Sequence, residues 1–173
     1  MPEALRRGPV PLENGFKAQE ALPCVRVPPD PRYVAEVVVL ITTLAASQAR
    51  YRSGRRVRDL LEIKRSHYKV VDLNSDTWSE RGGERRALQQ LTESQEGGLH
   101  VDFDGEIPVP QVFVDGVRLG GEADLQAIED DGNLEPVLKR EACLRCSVRR
   151  RPRCACCDGC GIRFWEILPG WMK

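Results

Sequence analysis

Apolar positions along the chain fall into two patterns, short continuous runs and helical stripes. Residues 34–41 are apolar almost throughout, which is typical of a central strand covered on both faces. Small and apolar residues then recur three or four positions apart over residues 46–65, which predicts a helix. A second strand is predicted at residues 68–73, and a second helix at residues 80–93.

A hairpin signal follows at residues 112–119. Val112, Phe113 and Val114 favour a strand. Asp115-Gly116 favours a tight turn, and Val117 begins a short return strand. Gly120 and Gly121 precede a helix predicted at residues 122–130, and residues 133–139 add a short turn. The element order β-α-β-α-β-β-α makes the first two strands parallel, with a right-handed crossover.

Composition narrows the class of protein. The 173 residues are 41% hydrophobic with zero formal net charge, although acids dominate residues 102–135 and bases dominate residues 139–173. No run approaches the roughly 20 apolar residues that a membrane span needs, and the first residues lack a signal-peptide core. We expect no membrane partner and a cytoplasmic or nuclear location. In that reducing setting, the seven cysteines favour metal binding over disulfides.

Three regions are expected along the chain. Residues 1–33 are rich in proline and charge and predict a flexible leader, in which Cys24 stands alone. Residues 34–140 predict one folded domain, and this span contains no cysteine. Residues 141–173 predict a short cysteine-rich tail.

The tail carries six cysteines within 18 positions. Two Cys-x-x-Cys pairs, Cys143 with Cys146 and Cys157 with Cys160, have the spacing that lets four sulfurs surround one zinc ion. Cys154 could replace one of these ligands. Arginines near the cysteines are expected to lower the thiol pKa values. Free or redox-active thiols and an iron–sulfur cluster remain the alternatives to structural zinc.

The segment from Val109-Pro110 through the hairpin to Gly120-Gly121 resembles glutaredoxins. The central region looks like the glutaredoxin-like domain of cysteine-rich glutaredoxin-domain proteins, and it is also similar to SH3-binding glutamate-rich-like proteins. The resemblance further rests on Thr42-Thr43, on the stretch from Val57 to Glu62 and on Cys157-Asp158-Gly159-Cys160. It implies a thioredoxin-like α/β fold with a short cysteine-rich C-terminal tail.

The resemblance also implies a groove beside a cis proline at Pro110, where relatives hold glutathione or an extended peptide. The groove residues carried over from the family are Thr43, Val109, Pro110, Gly120, Gly121 and Asp124. Glu122 and Ala123 depart from the family pattern, because an extra carboxylate stands where a ligand carboxylate would dock. Any glutathione binding is therefore expected to be weak.

The largest departure concerns the nucleophile. Glutaredoxins carry a reactive cysteine after the first strand, whereas residues 42–47 here contain none, and a serine hydroxyl does not form the anion that disulfide exchange needs. We expect a non-catalytic protein-binding or redox-regulatory module with a zinc-stapled tail and a protein or extended peptide as partner. The alternative is a glutathione-linked thiol–disulfide oxidoreductase that uses tail cysteines. Nucleic-acid binding ranks last, because stacking aromatics are missing among the tail arginines. The oligomeric state stays open.

Overall fold

The computed structural model describes residues 25–26, 34–43, 47–74, 99–151 and 154–168. The predicted helix at residues 80–93, Cys24 and nearly all of the leader lie outside these described residues. Nine elements occur in the described part of the chain. Their bounds are β1 Val25–Arg26, β2 Val37–Ile41, α1 Gln48–Ile63, β3 Lys69–Asp72, β4 Gln111–Val114, β5 Val117–Gly120, α2 Glu122–Asp130, α3 Leu134–Leu138 and β6 Trp165–Glu166.

The central sheet has the strand order β3-β2-β4-β5. β2 pairs with β3 in parallel and with β4 antiparallel, and β4 and β5 form an antiparallel hairpin. All five residues of β2 are buried, which confirms the prediction of a central strand covered on both faces. The parallel pair, the hairpin and the connecting helix together form the thioredoxin-like α/β architecture that the sequence predicts.

Alternate residues of β2 serve two different cores. Val37 and Val39 face the core formed with Val57 and Leu61 of α1 and Leu125 of α2. On the other face of the sheet, a second core includes Val38, Leu40, Phe113 and Ile167. Because successive side chains of a strand point to opposite faces of the sheet, every residue of β2 lies in one core or the other, and the run is apolar throughout.

The Asp115-Gly116 turn has the predicted form. Asp115 has φ 47° and Gly116 has φ 75°, so both residues adopt the left-handed backbone that such a tight hairpin requires. A Cβ on Gly116 would lie 2.7 Å from the backbone oxygen of Trp165, which leaves glycine as the fitting residue. No helix among the described residues is long and apolar enough to cross a membrane.

Candidate metal centre and groove

The cysteine tail folds as two equivalent turns, each built around one Cys-x-x-Cys pair. We call residues 142–149 the first knuckle and residues 156–163 the second knuckle. Each knuckle is closed by an isolated antiparallel bridge, between Ala142 and Arg149 in the first and between Cys156 and Arg163 in the second. The two bridges are offset by 14 positions, since 156 minus 142 and 163 minus 149 both equal 14.

The hydrogen bonds of the knuckles repeat with the same offset. In the first knuckle, the Cys143 N–H donates to the Val148 carbonyl at 2.9 Å, and the Ser147 N–H donates to the Cys143 carbonyl at 2.9 Å. In the second knuckle, the matching bonds of Cys157 with Ile162 and Gly161 both measure 2.8 Å. The duplicated backbone therefore points each pair of thiols in the same way.

The knuckles bring together the four cysteines that the spacing selects. The sulfur atoms of Cys143, Cys146, Cys157 and Cys160 all lie within 4.8 Å of one another. Two sulfur–sulfur contacts join the first knuckle to the second, namely Cys143 to Cys160 at 3.7 Å and Cys146 to Cys157 at 3.4 Å. Tetrahedral zinc with bonds of about 2.3 Å needs sulfurs roughly 3.8 Å apart. The donor set therefore fits one zinc-sized ion, and Cys154 and Cys156 lie outside it.

Burial and backbone amides, rather than arginines, set the properties of these thiols. Burial raises the pKa of Cys143 to about 12. Burial also raises the pKa of Cys157, but backbone N–H groups of Cys160 and Gly159 donate to its sulfur and bring the pKa down to about 7. The expectation that neighbouring arginines lower the thiol pKa values is wrong for Cys143, because burial of its sulfur dominates.

The second knuckle packs against the sheet domain at the hairpin. Val117 of β5 shares a core with Cys143, Cys157, Ile162 and Phe164. This shared core joins the cysteine cluster to the turn end of the hairpin. Gly159 lies where the two knuckles meet, since a Cβ there would lie 2.9 Å from Val148 and 3.1 Å from the Cys146 sulfur.

A buried carboxylate, Asp115, anchors this contact. Arg140 donates to it through two nitrogens, with Nη2 at 2.7 Å, and Arg150 Nη1 donates at 2.8 Å. The Glu36 N–H also donates to Asp115 at 2.9 Å. The Arg150 guanidinium lies 3.6 Å from the centre of the Phe164 ring. Asp115 therefore connects β2, the turn and the tail through charged hydrogen bonds that are shielded from water.

A second buried carboxylate, Glu36, holds the end of the described chain. The N–H groups of Ile167 and Leu168 donate to its two oxygens at 2.6 and 2.7 Å. Burial raises the pKa of Glu36 to about 7, although these two amides act in the opposite direction. We call residues 165–168 the C-terminal strap, because Trp165 N–H also bonds the Asp115 carbonyl at 2.7 Å.

Sequence reasoning missed Glu36, Asp115 and Arg150. Asp115 has the sequence signal of a simple turn residue, and its arginine partners lie 25 and 35 positions away. The duplicated pattern Cys-x-x-Cys-Ser-Val-Arg and Cys-x-x-Cys-Gly-Ile-Arg was a usable signal, because it reveals two copies of one turn.

The opposite end of β4 carries the cis peptide bond between Val109 and Pro110, as predicted. Beside it lies a groove of about 480 Å³. Its lining residues are Ala49, Arg50, Arg52, Ser53, Arg56, Val109 and Glu122. We refer to this cavity as the groove. Arg50, Arg52 and Arg56 lie on its rim, and Val109 supplies an apolar wall.

The other expected groove residues hold the surrounding backbone. Thr43 donates its hydroxyl to Asp72 at 2.6 Å, and Asp124 accepts the Gly121 N–H at 2.8 Å. Gly121 lies against Pro110, since a Cβ on Gly121 would be 3.3 Å from the Pro110 carbonyl oxygen. Gly120 has φ 135°, and a Cβ there would overlap the Asp124 side chain. These four positions therefore shape the ends of β2 and β5 and the start of α2.

Glu122 lies inside the groove and is paired there. Its carboxylate accepts the Ser53 hydroxyl, and Arg56 Nη1 donates to it at 2.9 Å. The Ser53 and Arg56 hydrogen bonds lower the pKa of Glu122, so it is charged at neutral pH. Among the described lining residues the groove thus contains one carboxylate, which bridges α1 and α2.

No protein-family model and no curated protein matches the chain. Solved structures with similarity include the buckwheat glutaredoxin–glutathione complex, at 23% identity over 60% of this chain and 76% of that chain, with a TM-score of 0.40. The holo form of a glutaredoxin from Populus tremula x tremuloides is 22% identical over 67% and 84%, with a TM-score of 0.41. The actin-interacting protein Aip5 of C. albicans is 13% identical over 61% and 89%, also at 0.41. The sheet order and the helices packed on the sheet define a domain of the thioredoxin-like α/β fold.

Proposed function

We propose that this chain is a non-catalytic glutaredoxin-like module whose tail is closed by zinc and whose groove binds an extended segment of a protein partner. The convergence of four cysteine sulfurs from two equivalent knuckles carries the metal part of this proposal. Four thiolates are a donor set that zinc prefers, and a fully thiolate-bound zinc ion supplies structural closure rather than an open position for catalysis.

The absence of a nucleophile beside the groove supports a binding role. The chain has no cysteine between Cys24 and Cys143. The tail cysteines pack against Val117, at the end of the hairpin opposite the cis proline. Five residue steps of strand separate Pro110 from Asp115, which is about 16 Å. A tail thiol in this arrangement lies too far from Val109 to attack a disulfide held in the groove.

The charges in the groove favour an acidic peptide over glutathione. Arg52 and Arg56 are exposed on α1 and face the same cavity as Val109. Glu122 already binds Ser53 and Arg56, so a small ligand must compete with a carboxylate that is tied in place. An extended acidic segment gains contact along the whole rim and therefore loses less from this competition.

Metal analysis of the reduced full-length chain tests the zinc site. Cys146→Ser or Cys160→Ser should release the metal, because each removes one of the four converging sulfurs. Cys154→Ser is the matched control, since Cys154 is a half-buried tail cysteine outside the cluster. The unmodified protein and the control should contain one equivalent of zinc. Well under one equivalent in the unmodified protein would refute the site, and loss of metal in the control would show a different tetrad.

One observation favours the oxidoreductase alternative, namely the pKa of about 7 for Cys157. A thiol with this pKa is partly a thiolate at neutral pH, which is the reactive form. Glutathione-coupled disulfide reduction by the full chain distinguishes the two functions. We expect turnover no higher than that of a variant with all tail cysteines replaced by serine. Clear turnover that disappears in Cys157→Ser would establish the alternative.

A further inference from the structure

A short loop beside the groove presents a single aromatic side chain to solvent. Phe103 is fully exposed at the tip of residues 102–106. Asp102 Oδ1 accepts the N–H groups of Asp104 and Glu106 at 3.1 and 2.8 Å, and the Asp102 N–H bonds the Glu106 carbonyl at 2.9 Å. These hydrogen bonds fix the backbone of the loop, so the Phe103 side chain is presented at a defined place on the surface.

The loop and the groove have opposite charges. Asp102, Asp104 and Glu106 surround Phe103 on the loop. Arg50, Arg52 and Arg56 line the groove, which has space for an aromatic ring next to Ala49 and Val109. Arg52 and Asp104 form no ion pair within the described part of the chain. Arg50 and Arg56 are already paired with Glu106 and Glu122, so an apolar anchor beside Asp104 matches an apolar wall beside Arg52.

The loop of one molecule stands beside its own groove and not in it. Glu106 is paired with Arg50 at 3.3 Å, which fixes the loop at the edge of the groove. Phe103 is nevertheless fully exposed, and it belongs to none of the hydrophobic clusters of the described residues. The loop and the groove lie side by side on one chain. Two copies related by a twofold axis can therefore each place the loop in the groove of the other, so that the same contact forms twice.

We propose that the chain self-associates by placing Phe103 of each copy in the groove of the other, with Asp104 against Arg52 of the second copy. This interaction goes beyond the proposed function, and it does not depend on the metal. In the dimer each groove is covered, so self-association and peptide binding exclude one another. Aromatic residues inserted in a pocket are typical of the few side chains that dominate interface energies.

Sedimentation velocity of the reduced full-length chain across a wide concentration range tests the proposal. The unmodified protein should show a concentration-dependent dimer. Phe103→Ala should weaken the dimer at least about tenfold, as expected for removal of an interface anchor. Ile63→Ala is the matched control, because Ile63 is a 75% exposed apolar side chain at the other end of α1 and should change nothing.

Charge reversal makes the test specific for the two surfaces. Asp104→Arg and Arg52→Asp should each weaken the dimer, and the double variant should restore it. A monomer at every concentration would overturn the proposal, as would equal dimerisation by Phe103→Ala, or a double variant no better than the single ones. Zinc content measured on the same samples reports separately on the metal site, so failure of one idea does not decide the other.

Discussion

At the scale of single residues, Ser147 and Gly161 occupy equivalent positions in the two knuckles. Both have a left-handed backbone, with φ 56° for Ser147 and 73° for Gly161. Their N–H groups make the same bond to the first cysteine of each pair. An L side chain in this conformation is strained by about 1 kcal/mol, whereas glycine is not. The two knuckles therefore differ in strain at one matched position.

We predict that Ser147→Gly raises the free energy of unfolding by about 1 kcal/mol and that Gly161→Ser lowers it by a similar amount. No atom of the described residues lies within 4 Å of a Cβ placed on Gly161, so the backbone alone should decide the effect. Urea denaturation of the reduced, metal-loaded chain measures both changes. Shifts of the same sign in the two variants would contradict the equivalence of the knuckles.

Asp115 gives a second prediction at this scale. Asp115→Asn removes the negative charge that faces two buried guanidinium groups, and Nε and Nη2 of Arg150 have no hydrogen-bond partner among the described residues. Breaking a buried ion pair from one side costs about 3–5 kcal/mol, because the remaining charge stays buried. We expect a loss of this size in urea denaturation. Asp59→Asn, at an exposed position on α1, is the control and should change stability by less than about 0.5 kcal/mol.

At the scale of elements, local pattern was enough for the four strands of the central sheet, for α1 and α2 and for the hairpin. β1 and β6, which pair with each other, were not predicted, and the helix predicted at residues 80–93 lies outside the described residues. β2 was predicted because its apolar run is continuous, and α2 was predicted with its observed bounds because Gly121 precedes a regular stripe. The convergence of Cys143 and Cys160 followed from spacing alone. The strap was not predictable in this way, because a lone acid such as Glu36 within an apolar run shows no sign of partners 131 positions away.

The attachment of the C-terminal strap should depend on pH through Glu36. Burial raises its folded pKa to about 7 from 4.5, and the nearby charges of Glu166 and Asp115 act in the same direction. The folded state therefore binds this proton more tightly than the unfolded state does. Stability falls as pH rises between these two values, by at most about 3 kcal/mol from this group.

We predict that Glu36→Gln removes this decline. Urea denaturation at pH 5 and pH 8 should show a smaller stability difference in the variant than in the unmodified chain. The cysteines titrate equally in both proteins, so the comparison isolates Glu36. Replacement by Gln also alters the bonds from Ile167 and Leu168 at every pH. The readout is therefore the difference in stability between pH 5 and pH 8. An unchanged difference in the variant would contradict the assignment of this pH dependence to Glu36.

At the scale of the whole molecule, the tail and the sheet domain share buried contacts. Val117 lies in the core of the cysteine cluster, Asp115 binds arginines from both regions, and Glu36 holds the strap. A tail that folds only with metal would make these contacts only with metal. Metal binding to the tail should therefore stabilise the domain as well, by linkage between binding and folding.

Chelation of the reduced chain tests this linkage in two regions at once. We predict that trypsin then cleaves at Arg145 and Arg149, both exposed in the first knuckle, while residues 34–140 remain folded but less stable. The domain stays folded because its main core, around Val39, Leu61 and Leu125, contains no cysteine. Hydrogen exchange should show faster opening at the Asp115-Gly116 turn than in β2, since the turn loses its tail partners. If chelation leaves both trypsin cleavage and exchange at the turn unchanged, the tail folds without metal, and the four cysteines are thiols held together by the protein alone.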